Sequence, residues 1–538
     1  MATDADVIVV GAGHNGLVCA AYLAAAGLDV LVLERRGEVG GCASTVDALG
    51  ARVNVCNCDH SMIRASRVIE ELDLAAHGLR YVEMDPVRHY LTVPAGEAAE
   101  GWTIFRDPER TLAGLGLTHP RQVDAYRAYL DATTPVARLL LEVTAITPTP
   151  TGVARRLAAR RGEGVARLLR LSRMAVGDAV RQWFDSEALA APVCATGPAV
   201  WGLPPGAPGT GLGALGYALA HLAPTGRPVG GSGALTDALG AAVVASGGRV
   251  RCHADVVRID CEGPAVRGVA LAGGEELTAP VVVCAADPRQ ALVGWLTGAP
   301  PAAHRMLARW AARSHQEGYE SKLDAVVDAP PRYPADDRFR AALGLADRGG
   351  ETTIITPGLD GIAAAHRAAA SGAVADQPIF FANVPDLADP SVAPPGGGHT
   401  FSLEVLFTPW QLKGGWDSTV EPARWLEAFA RHTQPGWLEG VRRWRAVTPP
   451  DYERDFGLRQ GHAPSFPGGP LAALAGRDRE LTRYRTPVRG LFLTGAGTFP
   501  GAGVWGASGR NTARAVEAAL QRRPRGRRRR PRGSLEAG

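Results

Sequence analysis

The stretch "ADVIVVGAGHNGLVCAAYLAAAGLDVLVLE", residues 5–34, decides how the rest of the chain is read. "ADVIVV" (5–10) is a short apolar, mostly β-branched run, which predicts a buried parallel strand. It leads straight into Gly11-Ala12-Gly13-His14-Asn15-Gly16 and then an alanine-rich helix stopped by Gly27. A second strand, "DVLVLE" (29–34), ends on Glu34, 18 residues after Gly16. A lone Gly-x-Gly-x-x-Gly is a weak signal. Strand, glycines, helix, strand and terminal acid in this order are a strong one, and they predict a dinucleotide-binding βαβ unit. Gly11 allows the tight turn, Gly13 lets backbone approach a pyrophosphate, and Gly16 brings helix and strand together. The helix N-terminus offers free N–H groups to phosphate, and Glu34 accepts hydrogen bonds from a ribose diol.

The next residues, "RRGEVGGCAST" (35–45), place a second glycine pair, Gly40-Gly41, just after the acid. With "GAGHNGLVCAAYLAAAGLDVLVLERRGEVGG" and "LDLAAHGLRYVEMDP" (72–86), this resembles the phytoene-dehydrogenase-related family of the carotenoid desaturase and amine oxidase superfamily. The resemblance implies non-covalently bound FAD. Amine oxidases usually carry arginine after the glycine pair, where this chain has Cys42 followed by Ala43. The pyrophosphate is therefore expected to lean on backbone N–H groups and on Arg35 or Arg36.

Two later segments complete the expected cradle. Residues 228–288 read as a glycine turn, a helix capped near Ser232, and several strands, "TAPVVVCAADP" being the last. The family likeness implies that Val256 and Val257 run beside the adenine and that Ala286 closes over the same cofactor. "VRGLFLTGAGTFPGAGVWGASGRNTARAVEAAL" (488–520) reads as a buried strand, a glycine-rich loop and a helix from about Ser508. There the resemblance implies flavin contacts at Gly495, Ala496, Gly503 and Val504, with backbone N–H groups at Ala502–Val504 stabilising negative charge on reduced flavin. The expected fold is α/β: a discontinuous Rossmann-like FAD domain (1–86, 226–297 and 456–520) with an inserted α+β substrate domain and helical cap (87–225 and 298–455). This is the p-hydroxybenzoate-hydroxylase-like arrangement. A second Gly-x-Gly-x-x-Gly at 211–216 follows a loop and leads to no acidic strand end, so it predicts no nicotinamide site.

The bulk numbers agree with an enzyme of this kind. At 538 residues the chain needs two or three domains, and its apolar (46%) and charged (21%) fractions are those of a globular protein. The formal charge of +4 misleads, because residues 521–538 hold eight arginines and one glutamate, leaving the remainder near −3. That excludes a basic nucleic-acid-binding body. The tail reads as a disordered basic end, with peripheral contact to an anionic membrane surface left open. No run of about 18 apolar residues suggests a spanning helix. The start lacks a signal-peptide pattern, so a cytoplasmic address is expected. Only two lysines, Lys322 and Lys413, stand against 56 arginines, which suggests a GC-rich bacterial source. Eight dispersed cysteines with no C-x-x-C or C-x4-C support neither a disulfide framework nor disulfide-reductase chemistry.

"RVNVCNCDHS" (52–61) packs Cys56, Cys58, Asp59 and His60 into five positions, 15 to 20 residues past the Gly40-Gly41 loop. The resemblance implies that this distance brings the chain across the flavin face. The spacing suits zinc poorly, and no metal is expected. A covalent tether, a packed pocket wall, and His60 or Asp59 acting as a base or substrate anchor are the readings open to it, with the wall foremost. Trp505 is a candidate to line the pocket over the ring, with Trp201 and His462 as further pocket residues. The expected activity is an FAD-dependent oxidation in which flavin N5 takes hydride from a C–H bond of a mid-sized, partly apolar small molecule. Oxygen or another acceptor then removes the electrons. A flavin-dependent double-bond isomerase and a non-catalytic interaction protein are the alternatives, and the oligomeric state has no signature in the sequence.

Overall fold

The computed structural model describes residues 3–521 apart from 57, 161, 163, 315–316, 346–349, 418, 464, 467–472, 475 and 477. The basic tail expected over 521–538 thus lies, beyond Gln521, outside the described residues.

The first predicted strand is the centre of a five-stranded parallel sheet. In order its strands are Leu491–Leu493, Val282–Cys284, Val7–Val10, Val30–Leu33 and Arg249–Arg251. The three innermost strands are buried on both faces, which is why their sequences are continuous apolar runs without alternation. One face, through Val7, Val9 and Val283, packs on the helices His14–Ala25, Gly233–Ala245 and Ala507–Gln521. The other, through Ile8, Val10, Leu33 and Leu493, packs on a four-stranded sheet that includes Val256–Glu262 and Ala265–Leu271. "RVRCHADVVRID" is therefore two strands in two sheets, with a break at 252–255.

A second body is built on a seven-stranded mixed sheet. Its order is Val441–Val447, Glu320–Val327, His399–Leu406, Ile379–Asn383, Thr352–Thr356, Arg88–Thr92 and Glu100–Ile104. Alternation gives this sheet two faces. Leu323, Ala325, Phe380, Ala382, Phe401 and Leu403 bury against the helix Glu421–Ala430. On the opposite face Tyr90, Ile354 and Phe381 meet a helical layer drawn from residues 108–222. Within the expected helical cap, the arginine-rich stretch 150–180 divides into the helices Pro150–Ala159, Val165–Leu171 and Val176–Val180. Gly164, at φ +77°, sets the boundary between the first two.

Two short antiparallel ribbons join the bodies: Thr45–Ala48 with Ala51–Asn54, and Tyr81–Glu83 with Gly226–Pro228. No helix among the described residues is long and apolar enough to cross a membrane.

Candidate active site

The carboxyl ends of the parallel strands meet at the glycine motif. Gly11, at φ +97°, turns the chain, and its N–H donates to the Leu33 carbonyl at 2.8 Å. Buried Glu34, expected to receive a ribose diol, accepts from Ala12 N at 2.8 Å and from Arg36 N at 3.0 Å and so braces the turn. A Cβ on Gly16 would sit 2.1 Å from the Gly11 carbonyl oxygen, and one on Gly495 would sit 2.9 Å from that of Ala285. A Cβ on Gly509 would lie 2.2 Å from the Asn15 carbonyl oxygen, locking the last helix onto the first. Gly13 differs: nothing lies within 4 Å of a Cβ placed there.

Around this opening the other pieces gather. Gly40 N donates to Ala12 O at 2.9 Å, and a Cβ on Gly41 would touch Gly13 Cα at 3.5 Å. Ala285 and Ala286 lie against Gly11. The His14 ring hydrogen-bonds the Gly503 backbone, and burial pushes its pKa down to about 4. Asn15 is buried with its Oδ1 unpartnered. Ala254 N donates to Glu34 O at 2.8 Å, leading into buried Val256 and half-exposed Val257. Ala496 accepts from Phe466 N at 3.2 Å, and Val504 packs partly buried beside the first helix. The residues fit an adenine dinucleotide: a turn with free space in front of Gly13, an orphaned buried amide oxygen beside it, and an acid at the second strand's end.

Some expected contacts fall elsewhere. Arg35 reaches away to the Arg454 carbonyl at 3.1 Å. Arg36 binds Ser44 Oγ at 3.1 Å, pairs with Glu38 and stacks over Phe456, so it braces the Gly40–Ala43 loop from outside. The last helix begins at Ala507, so the N–H groups of Ala502–Val504 belong to the loop before it.

The side chains of Asp59, His60 and Cys58, from the stretch expected to form a pocket wall, are buried and held by partners from distant segments. The Asp59 side chain is buried; its Oδ1 accepts from Arg227 Nε at 2.7 Å and its Oδ2 from Thr352 Oγ1 at 2.6 Å. Burial opposes its ionisation, yet Arg227, Arg88 and the Thr352 bond outweigh it and hold the carboxyl below the usual range. His60 places one ring nitrogen 3.0 Å from Tyr81 Oη and the other 3.2 Å from Ser232 Oγ. Burial first, then neighbouring His14, pushes its pKa down to about 3, so it is a neutral bridge with both nitrogens engaged. This also explains why the Ser232 hydroxyl, expected as a helix cap, makes no cap bond. Cys58 is buried beside Asn383 Oδ1 at 3.6 Å, its thiol pushed up to about 12 by burial. The Trp505 indole N–H donates to Ala502 O at 2.8 Å and so ties its own loop. His462 stacks edge-on against Tyr319, whose ring also lies beneath Gly202, next to Trp201.

The sequence reading missed the surface that faces this wall. Glu320, Lys322 and Asp324 alternate onto one face of their strand, and Glu404 is the register partner of Lys322. Lys322 Nζ, fully buried, donates to Asn54 O at 2.6 Å and pairs with Asp324. Glu404 is buried with Oε1 unpartnered. Burial raises its pKa to about 7, Lys322 opposing while Asp59 and Asp324 add to the rise. One of only two lysines, inside "ESKLDAVV" with its period of two, was the available signal.

Comparison with known proteins agrees with this geometry. Residues 9–68 match the family model "NAD(P)-binding Rossmann-like domain", and residues 190–317 match "Flavin containing amine oxidoreductase". The chain is 29% identical over 568 residues to pyridine nucleotide-disulfide oxidoreductase domain-containing protein 2 of Rattus norvegicus, covering 95% of this chain and 93% of that one. It is 26% identical over 507 residues to the lycopene-forming phytoene desaturase of Pantoea ananas, covering 93% and 96%. An engineered putrescine oxidase shares the fold, with a TM-score of 0.61 at 18% identity over 96% of this chain and 99% of that one. The chain is an FAD-dependent oxidoreductase, with similarity to flavin-containing amine oxidoreductases. Over nearly its whole length it is similar to the rat protein and to the phytoene desaturase.

Proposed function

We propose that this enzyme oxidises a C–H bond of a mid-sized, partly apolar small molecule, as a desaturation or as an amine- or alcohol-type oxidation. When bound, FAD supplies the acceptor for the two electrons that leave that bond. We assign 1–86, 226–297 and 456–520 to holding it, and 87–225 and 298–455 to the substrate. One observation carries the reading. Strands separated by hundreds of residues bring Gly11, Ala285 and Gly495 together around Gly13, the one glycine of the motif where a side chain would meet free space. Its backbone is placed to approach the pyrophosphate, with Ala12–Asn15 and Gly503–Val504 flanking it and Glu34 receiving the ribose diol.

The chain's own residues then divide the remaining work. Asp59, Arg227 and Thr352 form a fixed wall, and His60 holds that wall to Ser232 and Tyr81. Because His60 stays neutral with both nitrogens engaged, we place proton transfer instead on Glu404. Its free Oε1 and near-neutral pKa suit it to take the proton that must leave as the C–H bond is oxidised. The relative named as a phytoene desaturase favours an apolar substrate, consistent with Tyr319 within electrostatic range of Cys56 and packed at Gly202, next to Trp201.

The test begins with colour: purified protein should be yellow with a flavin spectrum, and colourless protein that cannot be reconstituted with FAD refutes the reading. Anaerobic titration with candidate substrates should bleach the flavin, and admitting oxygen then separates a fast-reoxidising oxidase from a dehydrogenase. Substrate rearranged without bleaching would move the assignment to an isomerase.

A further inference from the structure

The sequence holds no C-x-x-C or C-x4-C pair, but the fold brings together two cysteines that lie fourteen positions apart. The ribbon Thr45–Ala48/Ala51–Asn54 continues outward, with Val55 N donating to Ser44 O at 3.0 Å. A tight turn at Gly41–Ala43 breaks the strand alternation just before Ser44, and Cys56 directly follows Val55 on the facing side, so the two cysteines neighbour each other at the end of the ribbon. Both residues are free and partly exposed, whereas Cys58, two positions on, is buried. We propose that Cys42 and Cys56 are a redox-active pair that closes reversibly into an intramolecular disulfide. The bond would tie the glycine loop beside Gly13 to the wall at 56–60 across thirteen intervening residues.

The exchange balances with a small external disulfide as oxidant. The Cys42 sulfur attacks it, giving up its own proton and expelling one thiol. The Cys56 sulfur then attacks the mixed disulfide and expels the second thiol, which carries off the Cys56 proton. One S–S bond forms in the protein, one is broken in the oxidant, and two thiols are released. The surroundings set the resting state. The hydrogen bond with Cys42 comes first, then burial, then the negative charge of Glu404, and together they hold the Cys56 thiol well above its ordinary pKa, with Lys322 opposing. Tyr319, Tyr452 and Glu320 lie within electrostatic range of Cys56. The pair closes when an external disulfide is supplied to exchange with it.

The test needs no substrate and does not depend on the cofactor's role. The purified holoenzyme is incubated with oxidised glutathione and its thiols are titrated in denaturant. The expected result is a fall from eight thiols to six, reversed by dithiothreitol. Trypsin should release Gly37–Arg52 joined to Val53–Arg64 with a mass two hydrogens below their sum. C58S should still give the joined peptides, while C42S and C56S should not. The oxidised wild type should also unfold at a higher temperature than the reduced form, a difference that C42S abolishes. Eight thiols remaining, a lasting glutathione adduct, or a link that persists in C56S and vanishes in C58S would each overturn the proposal.

Discussion

Gly13→Val isolates the cofactor role of the glycine turn from its structural role. At φ −68° and ψ 163°, Gly13 has backbone angles open to any L-residue, and no atom lies within 4 Å of the new Cβ. The folded chain should therefore accept valine without strain and gain roughly 0.4–1 kcal/mol from the stiffer unfolded chain. The isopropyl group would instead fill the space in front of the turn, where the pyrophosphate is placed. A tenfold loss of FAD affinity, about 1.4 kcal/mol, is the least that displacing that close approach should cause. At FAD one hundred times the wild-type Kd, wild type should gain about 2.7 kcal/mol from binding, and a tenfold-weakened variant about 1.4. Flavin-to-protein ratio and thermal unfolding with and without added FAD read both quantities. The expected pattern is an apo-protein at least as stable as wild type that retains little flavin. Gly16→Ala is the contrast: its Cβ would stand 2.1 Å from the Gly11 carbonyl, so the fold itself should fail. If Gly13→Val kept a full complement of flavin and the full thermal shift, the backbone at Gly13 would not face the cofactor and the cradle would be wrongly placed.

Glu34→Ala should differ from Gly13→Val by weakening the apo-protein as well, because the Ala12 and Arg36 N–H groups lose their acceptor, at roughly 1–3 kcal/mol if they stay buried; denaturant midpoints of the two apo-variants compare them. Arg227→Met leaves Asp59 charged and buried with Thr352 as its remaining polar partner of the two, a loss of about 3–5 kcal/mol that Asp59→Asn in the same chain should largely restore. A double-mutant cycle that is additive would refute the coupling. Glu404 is neutral in the folded protein up to about pH 7, while an unfolded glutamate ionises near 4.5, so the unfolded state binds fewer protons between those values. Stability should therefore fall as pH rises through that window, and Glu404→Gln should flatten the fall; unfolding midpoints from pH 4.5 to 7.5 measure it. The same variant should slow anaerobic flavin reduction by substrate by about 10²–10⁴-fold if Glu404 takes the proton, with little change in flavin content.

The cofactor half of this protein was legible because its instructions are local. A turn that must take φ +97°, a helix packed so closely that Gly16 admits no Cβ, and an acid ending a buried strand each demand a residue type at a fixed spacing. The parallel strands are continuous apolar runs for the same local reason, since both faces are covered. The face that carries Glu404 and Lys322 is set by alternation across a sheet whose strands come from distant segments. Nothing near Glu404 in the sequence says that Lys322 is its neighbour, or that Asp59, 345 residues earlier, lies close enough to shift its titration. His60 shows the converse. Its type and position suggested a base, but burial keeps it neutral and the partners that engage its two nitrogens, Tyr81 and Ser232, are 21 and 172 residues away. A histidine's chemistry depends on what its two nitrogens touch, which topology decides. Cys42 and Cys56 follow the same rule: their separation of fourteen in the sequence matches no redox motif, and only the hairpin between them makes them a pair. Residues that shape backbone can thus be read from spacing, whereas residues that move protons or electrons have to be read from what the fold brings against them.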